Sequence, residues 1–287
     1  MGRVRRESLA VVRATLLVRC SGAPRDLGLD QGRVCRDEIR ADARAHGWEA
    51  ATGLSARLRA LRRDDSRARA SLARDLTRHF PHLAERTLGV AAGAGIASAA
   101  LFDALLRELD GQADDALHCE GGAAGAALEL RIASPWPLTG FVVRACTPDG
   151  GYPNLSFARP AHVGGLAGVN DRGLAGVAVP LAAPAPGERC AAPGVLLLDQ
   201  CIERLDSVEK ALDWCEHRPG GGHALLSFRD AAGASSAIEI DGEKRQRRAA
   251  IPVGGAGLVV CADPHTRMLA IEGAGIEAVR FALDPAS

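Results

Sequence analysis

The sequence predicts an α+β fold in which helices cover antiparallel sheets. The first ~110 residues carry apolar side chains at helical spacing. After Gly111 the chain becomes strand-like, with short turns between apolar segments, and two helical stretches separate these strands from a last group. This order of elements, in which helices and hairpins are followed by two helices and further hairpins, is typical of a layered α+β domain. Because no internal repeat or low-complexity linker interrupts the chain, we predict one domain over residues 1–287.

The N-terminal part is predicted to hold one strand and three helices. Val11 to Val18 is rich in Val and Leu and indicates a strand. The helical stretches that follow are Asp30 to Ala45, Gly53 to Phe80, and His82 to Leu109 with a break near Gly93-Ala94-Gly95. Pro81 separates the second helix from the third, because proline cannot continue a helix interior.

The C-terminal part is predicted to be rich in strands. The turn sequences Pro148-Asp149-Gly150-Gly151 and Asn170-Asp171-Arg172-Gly173 join apolar segments over a few residues, which favours antiparallel hairpins. Two helices are expected at Gly194 to Arg204 and Ser207 to His217. The predicted strands are Ala126–Ile132, Gly140–Cys146, Asn154–Ala158, Val163–Val169, Leu174–Val179, Ala224–Arg229, Ser236–Ile240, Gly257–Cys261 and Met268–Glu272.

Composition excludes several classes of protein. With 287 residues, 47% of them hydrophobic, the chain can bury a full core without disulfides or metals. Thirty-five basic and thirty-five acidic residues cancel, so no overall field attracts nucleic acid or anionic lipid. No apolar run reaches the ~20 residues that span a bilayer, and we expect no signal peptide. The eight scattered cysteines form no CxxC pair and are expected to be reduced thiols in a cytoplasmic protein.

Cys119 is the first candidate for a reactive side chain. It lies in Leu117-His118-Cys119-Glu120-Gly121-Gly122, where the helical part meets the strand-rich part. A thiol at the start of a strand, beside a histidine and a glycine-rich loop, has the features of an activated nucleophile. The structural alternative is a buried cysteine that packs as a small hydrophobic residue. His118 and Cys119 are too few for a metal site, so we predict no metal.

The remaining histidines and glycine-rich stretches point to no further chemistry. His162, His217, His223 and His265 have no second anchoring residue in their local sequence, so we predict structural roles for them. The chain contains no GxxxxGK[ST] and no GxGxxG in a strand-loop-helix context, and we predict no nucleotide cofactor.

Five groups of segments, in the same order along the chain, carry a resemblance to a known family. They are Gly28–Arg33 with Ile39, Phe80–Leu83 with Gly89–Ile96, Pro148–Tyr152, Val163–Leu174, and Pro193–Leu198 with Ser207–Ala211. Together they resemble the acyl-coenzyme A:6-aminopenicillanic acid acyltransferase group of the N-terminal-nucleophile hydrolases. The second group is similar to that family's "FPEL…GIAEGAG" helix, and the fourth is similar to its "GxNExGL" hairpin.

The resemblance implies a four-layer αββα sandwich of antiparallel sheets and a precursor that cuts itself just before a cysteine. Cys119 is the matching residue, so cleavage would divide the chain into a helical part, 1–118, and a strand-rich part, 119–287. The freed α-amino group has a reference pKa of ~7.7–8 and would act as the base for the thiol. The expected substrate is the amide or thioester of a small N-acyl compound, which is hydrolysed or transferred to an amine.

The same resemblance nominates three further residues. Arg131 matches the arginine of the family's "GRNxD" strand and is expected to hold a substrate carboxylate or to support the cysteine. Asn170, in the hairpin motif, is a candidate for polar support of the site. His118 is a candidate for the base that starts cleavage.

The sequence departs from the family pattern around these residues. The family places a small residue before the nucleophile and Ser or Thr after it, whereas this chain has His118 and Glu120. Ile132 to Ser134 replace the Asn and Asp that should follow the arginine, and Pro180 lies near the position of an oxyanion-hole asparagine. Two hypotheses therefore remain: a cysteine amidohydrolase or acyltransferase, and a catalytically degenerate relative that binds a small molecule or a partner protein.

Overall fold

The computed structural model describes residues 16–45, 63–109, 119–132, 140–181, 193–249, 258–273 and 276–283. Its helices are Pro24–Val34 (α1), Arg36–Ala45 (α2), Arg63–His79 (α3), Pro81–Ala94 (α4), Ser98–Leu109 (α5), Gly194–Arg204 (α6) and Val208–Glu216 (α7). Its strands are Leu16–Gly22 (β1), Cys119–Ala124 (β2), Ala127–Ile132 (β3), Val142–Pro148 (β4), Asn154–Ala158 (β5), Ala167–Asn170 (β6), Leu174–Pro180 (β7), His223–Asp230 (β8), Ser235–Asp241 (β9), Lys244–Arg248 (β10), Leu258–Asp263 (β11), Met268–Gly273 (β12) and Ile276–Ala282 (β13).

The strands form two sheets. The larger has the order β1-β4-β5-β6-β7-β8-β9-β10, and the smaller has the order β13-β12-β11-β3-β2. The predicted hairpins at residues 148–151 and 170–173 are confirmed, with Gly150 and Gly173 at φ values of 73° and 80° that favour glycine. Antiparallel pairing is not complete, because β1 pairs with β4 in parallel.

Two hydrophobic cores separate the layers. One lies between the helices and the larger sheet and includes Leu27, Leu83, Leu198 and Phe228. The other lies between the two sheets and joins β3, β11 and β12 to the opposite face of β4–β7, with Leu130, Phe157, Val177 and Ile271 among its members. The described residues therefore form a mixed α+β sandwich of helices and two stacked sheets. The further helical layer of the αββα arrangement stays a prediction.

Close contact between α1 and α4 explains the glycines of the first two motifs. A Cβ added to Gly28 would lie 2.0 Å from the Arg86 carbonyl oxygen, and one added to Gly89 would lie 2.1 Å from the Arg25 carbonyl oxygen. Gly32 and Gly93, one turn further along each helix, meet the facing backbone in the same way, at 2.2 and 2.4 Å. Because no side chain fits between the two backbones, these positions require glycine for packing.

Several predicted boundaries shift in the helical part. α1 begins at Pro24, six residues before the predicted start, because proline suits the first turn of a helix. The chain then breaks at Cys35, so the predicted helix to Ala45 is two helices. The predicted break at 93–95 is confirmed, with Gly95 as a left-handed C-cap at φ 68°. Predictions on residues 11–15 and 53–62 lie outside the described residues.

Three strands that the sequence analysis did not predict are edge strands. β2 and β13 are the two edges of the smaller sheet, and β10 is one edge of the larger sheet. β10 has the sequence Lys-Arg-Gln-Arg-Arg and shows no apolar alternation. Charged edges discourage pairing with other chains, which explains why the pattern of a strand is absent from this sequence.

Candidate functional site

Cys119 is the first residue of β2, at the edge of the smaller sheet. Its backbone pairs with Ile132 of β3, and Glu120 pairs with Arg131. Two residues further on, β2 packs closely against β7, since a Cβ on Gly121 would lie 2.7 Å from Val179 Cγ2 and 3.1 Å from Val177 Cγ2. The candidate nucleophile therefore starts a strand that lies directly on the larger sheet. His118 lies outside the described residues.

The strand directions determine which end of the sandwich Cys119 occupies. β2 and β11 are both antiparallel to β3, so they run in the same direction. The turn after β11 reaches the start of β7, where a Cβ on Gly173 would lie 3.0 Å from the Pro264 carbonyl oxygen. The C-terminal end of β2 thus lies over the start of β7, and Cys119 lies toward the end of β7, at Val179 and Pro180.

The neighbouring strand β8 brings a histidine to this same end. Pro180 pairs with Ala224, and the Leu181 N–H donates to the His223 carbonyl oxygen at 2.8 Å. Ala224 and its alternate neighbours pack toward the helices, whereas Leu225 packs against the inter-sheet core. Since successive side chains alternate across a strand, His223 shares the face of Leu225, toward the smaller sheet.

His223 belongs to a chain of three polar residues on consecutive strands. Its Nε2 lies 3.1 Å from Glu239 Oε1 on β9, and Arg248 on β10 donates to Glu239 Oε2 at 2.7 and 2.9 Å. Hydrogen bonds from His223 and Arg248 hold the pKa of the Glu239 carboxyl below its usual value. Both the His223 and Glu239 side chains are about one-quarter exposed, at 25% and 26%, so the pair is accessible. The local sequence of His223 offers no anchoring residue, and the structure supplies Glu239 from the next strand.

Arg131 precedes Ile132, the residue of β3 that pairs with Cys119. Its Nη2 is 2.7 Å from Glu129 Oε2 on the same strand. Leu128, Leu130 and Ile132 alternate with these two residues and pack between the sheets. Arg131 and Glu129 therefore face away from the larger sheet, and the structure does not bring the Arg131 side chain together with His223.

Asn170 is committed to backbone contacts on the helix side of the larger sheet. Its Nδ2 donates to the carbonyl oxygens of Ile202 and Leu205 at 2.8 and 2.7 Å, at the end of α6. Its Oδ1 accepts from the N–H groups of Arg172 and Leu174 at 3.1 and 2.9 Å. These hydrogen bonds stabilise the β6–β7 turn and the end of α6, on the face of the larger sheet opposite to the smaller sheet in which Cys119 lies.

A buried charged cluster on the helix side was missed by the sequence analysis. Arg144 on β4 lies 3.0 Å from Asp199 on α6, and its Nε donates to Ser156 Oγ at 2.9 Å. Arg86 on α4 lies 3.7 Å from Asp199 and 3.9 Å from Glu203, and it donates to Cys146 Sγ at 3.2 Å. A charged residue inside an apolar strand or helix, as in Val142-Val143-Arg144-Ala145 and Leu197-Leu198-Asp199, was the available signal.

The cluster shifts the ionisation of its own members. The Cys20 thiol donates to Cys146 and, against the effect of burial, lowers the Cys146 pKa to about 6 together with Arg86 and Arg144. Burial raises the pKa of Glu203, an effect that Arg86 partly opposes. Arg144 is 0% exposed and Asp199 is 6% exposed, so we interpret the cluster as a structural tie between the layers.

Two further features bear on the class of site. Within the described ranges, no group of three or more His, Cys, Asp or Glu side chains is arranged to hold a metal ion. Within the same ranges, no helix has both the length and the apolar character needed to cross a bilayer.

Comparison with known proteins identifies no family for this chain. No protein-family model matches the chain, and no curated protein matches it. Among solved structures, penicillin V acylase from Agrobacterium tumefaciens is similar over 47% of this chain and 39% of its own, with 18% sequence identity and a TM-score of 0.28. A likeness at this level supports no conclusion about fold, activity or substrate.

Proposed function

We propose that this protein is a cysteine N-terminal-nucleophile amidohydrolase or acyltransferase that cuts itself before Cys119. The observation that carries the proposal is the position of Cys119 as the first residue of β2, a strand that packs on the larger sheet. The family resemblance of five ordered segments supports it independently. The two stacked sheets with helices on one side are consistent with it, and the outer helical layer is proposed on the resemblance alone.

Cleavage supplies the groups that the chemistry needs. The Cys119 thiol is the nucleophile, and its freed α-amine, with a reference pKa of ~7.7–8, takes the thiol proton at neutral pH. The thiolate attacks the carbonyl carbon of a small amide or thioester, and the amine or thiol leaves with that proton. Water or an acceptor amine then attacks the acyl-enzyme thioester, so the identity of this second nucleophile decides between hydrolysis and acyl transfer.

Arg131 is proposed to act at the outer edge of this site. Its backbone pairs with Glu120, the residue that follows Cys119 in β2. It is already paired with Glu129, so its proposed role is to support the strand that begins with Cys119 or to share its charge with a substrate carboxylate. Asn170 receives no role in substrate binding because its amide holds the end of α6.

The intact mass of the purified protein tests the proposal. Wild-type protein is expected to give two masses, from residues 1–118 and 119–287. Cys119→Ala is expected to give one full-length mass and no turnover of small amides. Cys261→Ala is the matched control, because Cys261 lies in the same sheet and burial raises its pKa to about 11. A wild-type chain that stays intact while remaining folded contradicts the proposal.

A second function is favoured by the residues at two positions of the family pattern, Asn170 and Pro180. Asn170 holds backbone groups elsewhere, and Pro180 has no N–H to donate. Removing one oxyanion donor typically costs ~10²–10³ in rate, so a site without these donors favours a degenerate relative that binds a small molecule or a partner protein. An uncut chain that gains thermal stability with a small amide or thioester, without consuming it, supports this function. No thermal shift with any such compound counts against it.

A further inference from the structure

We infer that Cys20 and Cys146 are a redox-active thiol pair, which hydrogen peroxide converts to a disulfide between β1 and β4. Cys20 belongs to the helical part of the chain and Cys146 to the strand-rich part, so the bond links the two parts covalently. The inference goes beyond the proposed function, because the disulfide forms whether or not the chain is cut before Cys119.

The backbone places the two cysteines side by side. Cys20 and Cys146 are register partners in the parallel pair of β1 and β4, and both pack into the core on the helix side of the larger sheet. Neighbouring strands lie about 4.8 Å apart, and the Cα atoms of a disulfide lie about 4.4–6.8 Å apart. The Cys20 thiol already donates to the Cys146 sulfur, so the two side chains are in contact. A bond between them therefore needs no large backbone movement.

Arg86 makes one of the two thiols the reactive one. Its Nη2 donates to Cys146 Sγ at 3.2 Å from a buried position on α4. The hydrogen bond from Cys20 and the charge of Arg86 lower the Cys146 pKa to about 6, although burial acts in the opposite direction. The hydrogen bond to Cys146 and burial raise the pKa of Cys20. Because the thiolate is the form that attacks an oxidant, Cys146 is the attacking sulfur and Cys20 is the thiol that resolves the product.

The charges of the buried cluster also favour a thiolate at Cys146. Arg86 and Arg144 bring two positive charges, whereas Asp199 brings one negative charge. Glu203 lies 3.9 Å from Arg86, but burial raises the pKa of its carboxyl. A thiolate in contact with Arg86 supplies the second negative charge that the cluster needs, since buried charges require compensation.

The position of β1 gives the oxidant access to the pair. Both thiols are only 2% exposed, so the closed structure shields them. However, β1 is an edge strand of the larger sheet, with β4 as its neighbour. Elements with few neighbours open locally at a lower free-energy cost than the core. Release of β1 uncovers Cys146 beside Arg86, and its return brings Cys20 back to the oxidised sulfur.

A second thiol pair in the same protein lacks these features. The Sγ atoms of Cys201 on α6 and Cys215 on α7 lie 3.6 Å apart. The other partner of the Cys201 sulfur is the Ala211 carbonyl oxygen at 3.9 Å, which carries no positive charge. Burial and the hydrogen bond to Cys215 raise the pKa of Cys201. We therefore expect this pair to stay reduced, although its sulfur atoms are in contact.

The reaction has two steps. The Cys146 thiolate attacks one oxygen of hydrogen peroxide, the O–O bond breaks, and Cys146 becomes a sulfenic acid. The hydroxide that leaves takes up the proton that Cys146 had released, which gives water. The Cys20 sulfur then attacks the Cys146 sulfur, the S–O bond breaks, and the hydroxide leaves as water with the Cys20 proton. The two sulfur atoms together lose two electrons, and the peroxide is reduced to two water molecules.

Disulfide mapping in full-length protein treated with hydrogen peroxide tests the inference. Reduced protein is oxidised for increasing times, its remaining thiols are alkylated in denaturant, and its peptides are analysed by mass spectrometry. We expect the loss of two of the eight thiols. A peptide pair joined through Cys20 and Cys146 should appear first, and dithiothreitol should separate it. Urea just below the unfolding transition should speed its formation, because β1 then opens more often.

Single variants separate the roles of the two thiols. In Cys20→Ser, the Cys146 sulfenic acid has no resolving thiol and should be trapped by dimedone, whereas Cys146→Ser should leave Cys20 reduced. Cys261→Ser is the control, because Cys261 lies in the smaller sheet and its loss should leave the disulfide unchanged. Absence of the joined peptides both in buffer and in urea, or earlier oxidation of Cys201 and Cys215, would overturn the inference.

The same samples keep the inference distinct from the proposed function. If the chain is cut as proposed, the oxidised protein should run as one band on a denaturing gel and as two bands after reduction. A chain that stays uncut contradicts the proposed function alone, because the mapped peptides report the disulfide without cleavage. Two bands without reduction, in protein oxidised to completion, would contradict the disulfide alone.

Discussion

The Nη2 atom of Arg144 lies 3.0 and 3.2 Å from the two carboxylate oxygens of Asp199, with both side chains almost completely withdrawn from solvent. The pair joins β4 of the larger sheet to α6 and is surrounded by further donors and acceptors. Gly165 donates its N–H to Asp199 at 3.0 Å, and Gln31 on α1 accepts from Arg144 at 3.2 Å. Because both side chains are almost completely buried, these partners replace water around the two charges.

Removing one member of this pair should be strongly destabilising. We expect Arg144→Met to lower the free energy of unfolding by about 3 kcal/mol, because it leaves the buried Asp199 carboxylate with Arg86, at 3.7 Å, as its counter-charge. Urea unfolding at neutral pH measures the loss. Arg247→Met is the matched control, since Arg247 forms an ion pair of 2.6 Å with Glu216 at the surface, and we expect a much smaller change there. Equal losses in the two variants would contradict the structural role of the cluster.

Adding one methyl group at the contact between α1 and α4 should destabilise the protein. We expect Gly89→Ala to destabilise the protein by more than 2 kcal/mol, because the added Cβ would lie 2.1 Å from the Arg25 carbonyl oxygen and must force the helices apart. Thermal or urea unfolding measures the effect. Ala92→Gly, at an exposed position of the same helix, should cost only the helix propensity of about 1 kcal/mol. A stable Gly89→Ala variant would show that the two helices lie further apart.

Cleavage before Cys119 should not separate the two fragments. β1 lies in the first fragment and pairs over its length with β4 of the second, and Gln31 donates to the Pro160 and His162 carbonyl oxygens at 2.9 and 2.8 Å. We expect cut protein to elute from a gel-filtration column as one species and to show two bands only after denaturation. Separation of the fragments in native buffer would contradict the described packing.

His82 should make stability depend on pH. Burial, aided by the charge of Arg204, lowers its pKa from 6.5 to about 4, so the folded protein holds the neutral imidazole that contacts Gln200. Between these values the unfolded chain binds more protons than the folded one, and stability falls as the pH drops from about 6.5 to about 4. We expect His82→Gln to show a smaller fall in the free energy of unfolding over this range. A wild-type slope in His82→Gln would contradict the assignment.

Local patterns predicted much of the fold. The turn residues at 148–151 and 170–173, the break at Gly95 and the change from helices to hairpins can be predicted from glycine, proline and apolar spacing over a few positions. The edge strand β10 escaped prediction because its sequence is charged and shows no apolar alternation. The parallel pairing of β1 with β4 joins residues more than 120 positions apart, and no local pattern encodes it.

The candidate site was predictable to a lesser degree. The structure places Cys119 as the first residue of β2, a strand absent from the predicted ones, and the chemical role of Cys119 stays a prediction. The pair of His223 and Glu239 requires the register of β8 against β9, in which Leu225 faces Glu239. The pairing of Arg144 with Asp199 requires the packing of a helix on a sheet. Such contacts depend on tertiary arrangement, and spacing along the chain does not reveal them.

The parallel pairing of β1 with β4 also orders events during synthesis. β1 leaves the ribosome before the helices, yet its partner is completed only at Pro148. At ~5–20 residues per second, translation holds β1 unpaired for several seconds. The helical part must therefore wait for the strand-rich part before its first strand enters a sheet. A chaperone that covers exposed strand edges would be needed most in that interval. Termination of synthesis before residue 148 would leave β1 without its partner strand, and its unpaired edge could then pair with other chains.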